Sequence, residues 1–258
     1  MSKKDLKNTN FIVLIAALGY FVDIYDLVLF SVERIDSLKE ILGATATKDE
    51  IKNVGMQLLN WQMGGMLVGG IVWGIYGDKK GRLSVLFGSI LMYSLANIAN
   101  GFVQTVEQYA LLRFISGFGL AGELGAGITL VSETMSKEKR GIGTMIVATV
   151  GVFGAVVAGF MGDVITNWRY SFFLGGAMGL LLLIMRIGVF ESGMFESMKK
   201  SNVHKGNLLQ LLKTKKNLIK YLGVIAIAVP VWYVMGILIT FSPEMMKSLG
   251  VTSFTPDP

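Results

Sequence analysis

Seven long apolar stretches alternate with shorter polar segments along the chain. Each holds about 20 or more residues, enough at a rise of about 1.5 Å per residue to cross a hydrocarbon core about 30 Å thick. A backbone inside lipid must satisfy its own hydrogen bonds, so the stretches predict helices. They cover approximately residues 11–32, 55–77, 83–103, 108–132, 142–165, 168–190 and 219–242.

The spacing of these stretches predicts an all-α membrane protein with three parts. Residues 1–190 form a six-helix transmembrane bundle, and residues 219–258 hold the first helix of an incomplete second bundle. Residues 191–218 form a polar, basic linker between them. Leucines among its lysines are compatible with a short amphipathic helix on the membrane surface and equally with a solvated tether.

Composition supports a membrane protein and excludes several other classes. Of the 258 residues 52% are hydrophobic and 16% are charged, whereas a soluble domain has roughly a quarter charged residues. The absence of cysteine excludes a disulfide scaffold and a thiolate metal site. The net charge of +6 is spread between the apolar stretches, so it predicts no nucleic-acid partner. Neither a metal cluster, a cofactor site nor a nucleophilic triad is recognisable, which argues against an enzyme.

The distribution of lysine and arginine predicts the orientation in the membrane. A cytoplasmic N-terminus places six basic residues on the outer side, namely Arg34, Lys39, Lys48, Lys52, Arg169 and Lys247. Sixteen then lie on the inner side, which are Lys3, Lys4, Lys7, Lys79, Lys80, Arg82, Lys137, Lys139, Arg140, Lys199, Lys200, Lys205, Lys213, Lys215, Lys216 and Lys220. The positive-inside rule favours this arrangement, and we expect a multi-pass protein of the inner (plasma) membrane.

Four ionisable residues lie well inside the apolar stretches: Asp23, Asp26, Arg113 and Glu123. Inserting a charged side chain at mid-membrane costs at least about 2.5–3.5 kcal/mol, so each of these residues is expected to have a structural or functional role. Asp26 and Arg113 both lie about 8–9 Å below the outer surface at about 1.5 Å per residue, so they can meet. The pair is either structural or a proton-coupling site.

A proton-coupling role follows from the cost of an uncompensated buried charge. Beside Arg113 the carboxylate of Asp26 stays ionised, and it takes a proton if a substrate or a conformational change draws the arginine away. Asp23 lies one turn deeper on nearly the same face. Glu123 is deeper still on its own helix, where it is an inner relay or a packing partner.

A second set of polar and aromatic residues is a candidate for substrate binding. These residues could face a polar cavity, although aromatic residues near helix ends are often interface anchors. The candidates are Tyr20, Asn60, Trp61, Gln62, Trp232 and Tyr233.

The loop after the second stretch carries the most specific motif. Its glycines, acid and bases form a tight turn in which Gly81 can adopt a positive φ. The motif residues are Gly74, Gly77, Asp78, Lys79, Gly81 and Arg82. This loop resembles the one between helices two and three of the major facilitator superfamily, except that Leu83 stands where the longer form has a further basic residue.

The resemblance extends along almost the whole chain. Tyr25-Asp26 and the fourth-helix segment from Arg113 to Glu123 look like those of proton-coupled sugar porters and metabolite symporters. Further similar segments surround Glu133 with Arg140, and Arg186 with Glu191. In that family the first-helix aspartate and fourth-helix arginine form the proton-coupling pair, and the loops gate the conformational change. The missing proline between Gly159 and Gly162 favours a symporter or facilitator over an antiporter.

The predicted function is therefore secondary transport of a small polar metabolite, a sugar or an organic acid, by proton-coupled alternating access. The alternative is a non-transporting membrane sensor or assembly subunit with the same fold. A facilitator-type transporter has two six-helix halves around a central site. We therefore expect this chain to be a partial transporter, inactive without the missing half or a second copy.

Overall fold

The computed structural model describes residues 3–43, 45–136, 138–190, 214–242, 245–246 and 249–250. These residues form helices at all seven predicted positions. The helices are α1 Lys3–Leu42, α2 Lys48–Lys80, α3 Arg82–Asn100, α4 Val106–Thr134, α5 Arg140–Val164, α6 Trp168–Phe190 and α7 Lys215–Tyr233, which continues into a π-helical segment Val234–Ile239. The predicted all-α membrane fold is confirmed.

Five of the helices in the described part of the chain are long and apolar enough to cross a membrane. They include Val13–Leu42 of α1 and Lys48–Lys80, the whole of α2. The other three spans are Arg140–Val164, Trp168–Ile187 and Lys215–Ile239, while α3 contributes a shorter apolar segment, Ser84–Asn100. Helices α1 and α2 are longer than their apolar stretches, so the polar residues that follow the first apolar stretch belong to the same continuous helix α1.

Threonine caps and one glycine turn set several helix ends. The Thr47 hydroxyl accepts a hydrogen bond from the Glu50 N–H (3.2 Å), and the Thr105 hydroxyl accepts one from the Gln108 N–H (3.3 Å). Gly81 separates α2 from α3 with φ +99°, as the turn motif predicted. Its N–H donates to the Gly77 carbonyl at 2.9 Å, so the connection between the two helices needs only one residue.

The first six helices pack as one bundle. Helix α1 contacts α4, α5 and α6, while α2 packs mainly on α4, and α3 packs between α4 and α6. Apolar residues of four helices close the end where α1 and α5 begin and α4 ends. They are Val13, Ala16, Ala17, Val85, Leu86, Val131 and Val147.

The crossing of α2 and α4 is close because glycines face backbone. A Cβ on Gly65 would overlap the carbonyl of Phe114, and a Cβ on Gly117 would overlap the carbonyl of Gln62. The Trp73 indole N–H donates to the Phe118 carbonyl at 2.8 Å across the same crossing. Small residues allow this approach in lipid, where close van der Waals packing replaces the hydrophobic effect between helices.

The chain divides into two compact units, residues 1–206 and 207–258. The second unit contains α7, in which Pro230 interrupts the regular hydrogen bonding and the π-helical segment follows. The predicted linker, residues 191–218, lies largely outside the described residues.

Candidate functional site

Asp26 lies at the centre of a buried polar layer between α1, α3 and α4. Its side chain is fully buried, and its Oδ2 is 3.1 Å from the hydroxyl of Ser116 on α4. The same hydroxyl is 3.5 Å from Oδ1 of Asn97 on α3. Three helices therefore hold this carboxyl group away from solvent.

Arg113 enters the same layer from α4 and is also fully buried. Its Nη2 donates to Oε1 of Gln62 on α2 at 2.6 Å. The guanidinium carbon is 4.6 Å from the ring centroid of Phe30 and 5.6 Å from that of Phe172. Two aromatic rings and an amide oxygen thus stabilise the cation in place of water.

The expected direct contact of Asp26 with Arg113 is not formed among the described contacts. Arg113 is near enough to act on the Asp26 carboxyl electrostatically. However, Arg113 donates its hydrogen bond to Gln62, and Asp26 accepts one from Ser116. The predicted heights in the membrane bring both residues into one layer. The rotation of α4 against α2, set by the glycine crossing, turns Arg113 towards Gln62.

Glu123 forms a buried ion pair with Arg186 of α6. Arg186 Nη1 donates to Glu123 Oε2 at 2.8 Å, and Nη2 donates to Glu123 Oε1. Nη1 also lies 3.2 Å from the Leu86 carbonyl of α3. This ion pair joins α4 to α6, and both alternatives for Glu123, an inner relay and a packing partner, are compatible with it.

Asp23 is buried on α1 beside this ion pair. Among the described residues neither of its carboxylate oxygens has a hydrogen-bond partner. Glu123, Arg186 and Asp26 all act on it electrostatically, so the four predicted ionisable residues belong to one connected charged region.

A further buried acid, Glu33, lies towards the C-terminal end of α1. Its Oε1 accepts a hydrogen bond from the Ser171 hydroxyl of α6 at 2.6 Å, and the Tyr25 hydroxyl donates to the Ser171 carbonyl at 3.3 Å. Arg34 is fully buried too. The sequence prediction counts Arg34 among the outer basic residues and does not select Glu33, because the first apolar stretch ends at about residue 32 although the helix continues to Leu42.

The substrate-binding candidates separate into buried and exposed positions. Gln62 is buried on Arg113, and Tyr20 packs half-buried against Gly151 of α5. Asn60 is exposed, and Trp61 is 52% exposed with its ring in a T-shaped contact with that of Phe114. In the second unit Trp232 is half-buried and Tyr233 is exposed.

The motif loop has Gly74 exposed and Gly77 buried near the end of α2, with Asp78 half-buried and Lys79 exposed. Arg82 begins α3, and Glu133 lies in the last turn of α4. Arg140 begins α5 and is exposed. Glu191 lies outside the described residues.

Glu138 lies in the α4–α5 loop. Hydrogen bonds with its own backbone and with Ser136 lower the pKa of its carboxyl group, which favours the charged carboxylate.

Sequence reasoning did not select Arg186, Ser116 or Asn97 for the site. The sequence does indicate a role for Arg186, because a lone arginine within an apolar stretch needs a buried counter-charge. It does not indicate Ser116 or Asn97, since small polar residues are frequent in membrane helices and only the packing selects these two.

Comparison with known proteins assigns the family. A family model described as Major Facilitator Superfamily matches residues 11–256. The chain belongs to the Major Facilitator Superfamily. The fold agrees, since the xylose transporter XylE from E. coli in its inward open conformation superposes with a TM-score of 0.64 over 93% of this chain and 65% of that chain, at 16% sequence identity.

Curated relatives in the superfamily are transport proteins. The benzoate transport protein of Acinetobacter baylyi is 27% identical over 195 residues, covering 71% of this chain and 40% of that protein. A Bacillus subtilis protein named as a niacin/nicotinamide transporter is 28% identical over 137 residues, covering 52% of this chain and 34% of that protein. The chain thus spans half or less of the length of these two relatives.

Proposed function

We propose that the protein carries out proton-coupled transport of a small organic acid across the membrane. The observation that carries this proposal is the buried layer in which Asp26 and Arg113 lie close together without direct hydrogen bonding. Asp23 and Glu123 extend this layer with further groups that can exchange protons. An enzyme role has no support from the relatives, which are named as transporters.

The layer suggests how a solute could be coupled to a proton. Nε and Nη1 of Arg113 have no hydrogen-bond partner among the described residues, so each has a donor left for an incoming carboxylate. A carboxylate that draws Arg113 towards itself removes the counter-charge from Asp26. Asp26 then takes a proton, because an uncompensated buried carboxylate is costly.

The choice of an organic acid over a sugar rests on the arginine and on the relatives. Benzoate and niacin each carry a carboxylate, and proteins named for their transport are among the relatives. A sugar would need hydroxyl-binding amides and aromatic surfaces, for which Asn60, Trp61, Trp232 and Tyr233 remain candidates together with Tyr20.

Transport also needs a second bundle to complete the pathway. Facilitator-type transporters move two six-helix halves around a midplane site, and the described residues provide one such bundle. We propose that the second is supplied either by further polypeptide or by a second copy. We also propose a cytoplasmic N-terminus and a location in the plasma (inner) membrane. The motif loop, Glu133, Arg140 and Glu191 would then lie at the gating end.

The test is uptake of radiolabelled benzoate, nicotinate and D-xylose into vesicles that contain the full-length protein, with an imposed pH gradient. Benzoate or nicotinate should accumulate, and Asp26→Asn should abolish accumulation while exchange of preloaded solute continues. Equal accumulation by Asp26→Asn would remove the proton role. Uptake of D-xylose alone would reassign the substrate class, and no flux of any solute would favour the non-transporting sensor.

A further inference from the structure

A three-residue charge cluster, made of Asp23 on α1, Glu123 on α4 and Arg186 on α6, lies beside the Asp26 layer. Glu123 and Arg186 form the bidentate ion pair, and both side chains are buried. Both terminal nitrogens of Arg186 donate to Glu123, whereas its Nε has no hydrogen-bond partner among the described residues.

The backbone of α1 is shaped to receive this ion pair. A Cβ on Gly19 would overlap both the Glu123 carboxylate and the Arg186 guanidinium, so the pair packs directly on α1 at this glycine. Asp23 follows Gly19 by one helical turn and lies on the same face of the helix. Its side chain is 3% exposed, and neither carboxylate oxygen has a hydrogen-bond partner among the described residues.

The charges around Asp23 do not balance if every acid is ionised. The groups that act on Asp23 are Glu123 from α4, Arg186 from α6 and Asp26 on its own helix, with Tyr20 and Tyr93 nearby. The tyrosines are neutral at physiological pH. Asp26 has Arg113 as a counter-charge. The cluster itself then holds two acids for one base.

We infer that Asp23, Glu123 and Arg186 form a proton-holding site in which Arg186 is the counter-charge shared by the two acids. Arg186 pairs with one acid, and the other acid carries a proton, because a lone ionised carboxylate away from water is costly. In the present structure Glu123 is the paired acid and Asp23 is the protonated one. The cluster titrates as a unit with one proton.

A change of partner by Arg186 would move that proton. When the guanidinium turns from Glu123 to Asp23, the proton leaves the Asp23 carboxyl oxygen and binds the Glu123 carboxylate, and no other group gains or loses an atom. The proton would travel between α1 and α4 without leaving the bundle. Its use in coupling rests on the proposed transport function, whereas the proton content of the cluster can be measured without transport.

Infrared spectroscopy of the purified protein in lipid vesicles at neutral pH tests the proposal. A protonated carboxyl group absorbs separately from carboxylates, and its band shifts in D2O. We expect one such band to disappear in Asp23→Asn and to persist in Asp26→Asn, which removes the neighbouring acid of the same helix. Labelling the aspartate side-chain carboxyl carbons with ¹³C should move the same band in the wild-type protein, so the assignment does not depend on the folding of a variant.

Two further variants separate a shared counter-charge from a static ion pair. Glu123→Gln frees Arg186 for Asp23, so the aspartate band should vanish although Asp23 is unchanged. Arg186→Gln leaves two acids without a cation, and the protonated-carboxyl signal should rise about twofold. An aspartate band that survives Glu123→Gln, or a wild-type spectrum in which the label moves no such band, would overturn the inference. Failure of solute uptake would contradict the proposed transport function but would not change these band assignments.

Discussion

At the scale of single residues, Gln62 decides where the buried arginine of the site points. Its amide oxygen accepts the hydrogen bond from Arg113 Nη2, and the surrounding rings of Phe30 and Phe172 offer no other acceptor. A charge held by one amide and two aromatic faces can exchange that amide for another acceptor. Gln62 therefore belongs to the site although it carries no charge.

Replacing Gln62 with leucine should destabilise the protein measurably. The change keeps the volume but leaves a buried guanidinium N–H without its acceptor, which costs about 1–3 kcal/mol. Asn60→Leu on the same helix is the control, because Asn60 is exposed and should lose little. The measurement is the free energy of unfolding in detergent micelles. Equal losses in the two variants would show that Gln62 has no special part in holding Arg113.

At the scale of helices, the crossing of α2 and α4 determines which polar residues meet. Gly65 and Gly117 let each helix approach the backbone of the other, and this approach brings Gln62 over Arg113. Packing by small residues rather than by large apolar side chains is how membrane helices gain close contact. The site therefore depends on glycines that have no chemistry of their own.

Substituting alanine at two neighbouring glycines of α2 should give opposite results. The Cβ in Gly65→Ala meets the Phe114 carbonyl, and the overpacking should cost about 1–3 kcal/mol. The Cβ in Gly64→Ala meets no atom within 4 Å, so the better helix propensity of alanine should stabilise by up to about 1 kcal/mol. Unfolding of both variants under the same conditions gives the comparison. A destabilised Gly64→Ala with an unaffected Gly65→Ala would contradict the proposed close crossing.

The ends of α1, α3 and α6 are joined through Arg169 at the start of α6. Its Nη2 is 2.9 Å from Glu40 Oε1 on α1, and its Nη1 donates to the carbonyls of Gly101 (2.9 Å) and Val103 (2.8 Å) after α3. The indole N–H of Trp168 donates to the other oxygen of Glu40 at 2.7 Å. These contacts hold backbone carbonyls that would otherwise be unpaired at a helix end.

Arg169→Ala should therefore cost more stability than the loss of an ordinary surface ion pair. We expect about 1–2 kcal/mol, because several hydrogen bonds are removed together. The matched control is Asp36→Ala, which breaks the exposed Lys39–Asp36 pair of α1 and should cost less than about 0.5 kcal/mol. Thermal unfolding with both variants measures the difference. Similar losses would mean that the contacts of Arg169 act only as surface charges.

The sequence predicts the seven helices well because lipid leaves the backbone few alternatives. It also predicts the heights of Asp26 and Arg113, because the rise per residue of a helix is constant. The sequence does not predict how each helix is rotated about its own axis. Nothing in the local pattern near Arg113 shows that Gln62 rather than Asp26 accepts its hydrogen bond, since this follows from the α2–α4 crossing. The sequence likewise does not show that Arg186 pairs with Glu123, because the two residues lie 63 positions apart and only the packing of α4 and α6 brings them together.

At the scale of the whole molecule, the buried charges form a path through the bundle. Glu33, Asp26 and Asp23 follow one another along α1, and Glu123 with Arg186 continues towards the end where α4 finishes. A scaffold without transport would be more stable with apolar residues at these positions. The direction of that path across the membrane depends on the orientation of α1, for which the excess of basic residues at the end containing the motif loop predicts a cytoplasmic N-terminus.

The orientation can be tested with single cysteines, because the chain contains none of its own. Glu138 and Asn167 lie in exposed loops at opposite ends of α5, which spans about 37 Å at 1.5 Å per residue. With the N-terminus in the cytoplasm, a membrane-impermeant maleimide applied to intact cells should label Asn167→Cys and leave Glu138→Cys unlabelled until the membrane is permeabilised. The reverse pattern would invert the direction of the charged path, and labelling of both positions in intact cells would contradict a membrane-spanning α5.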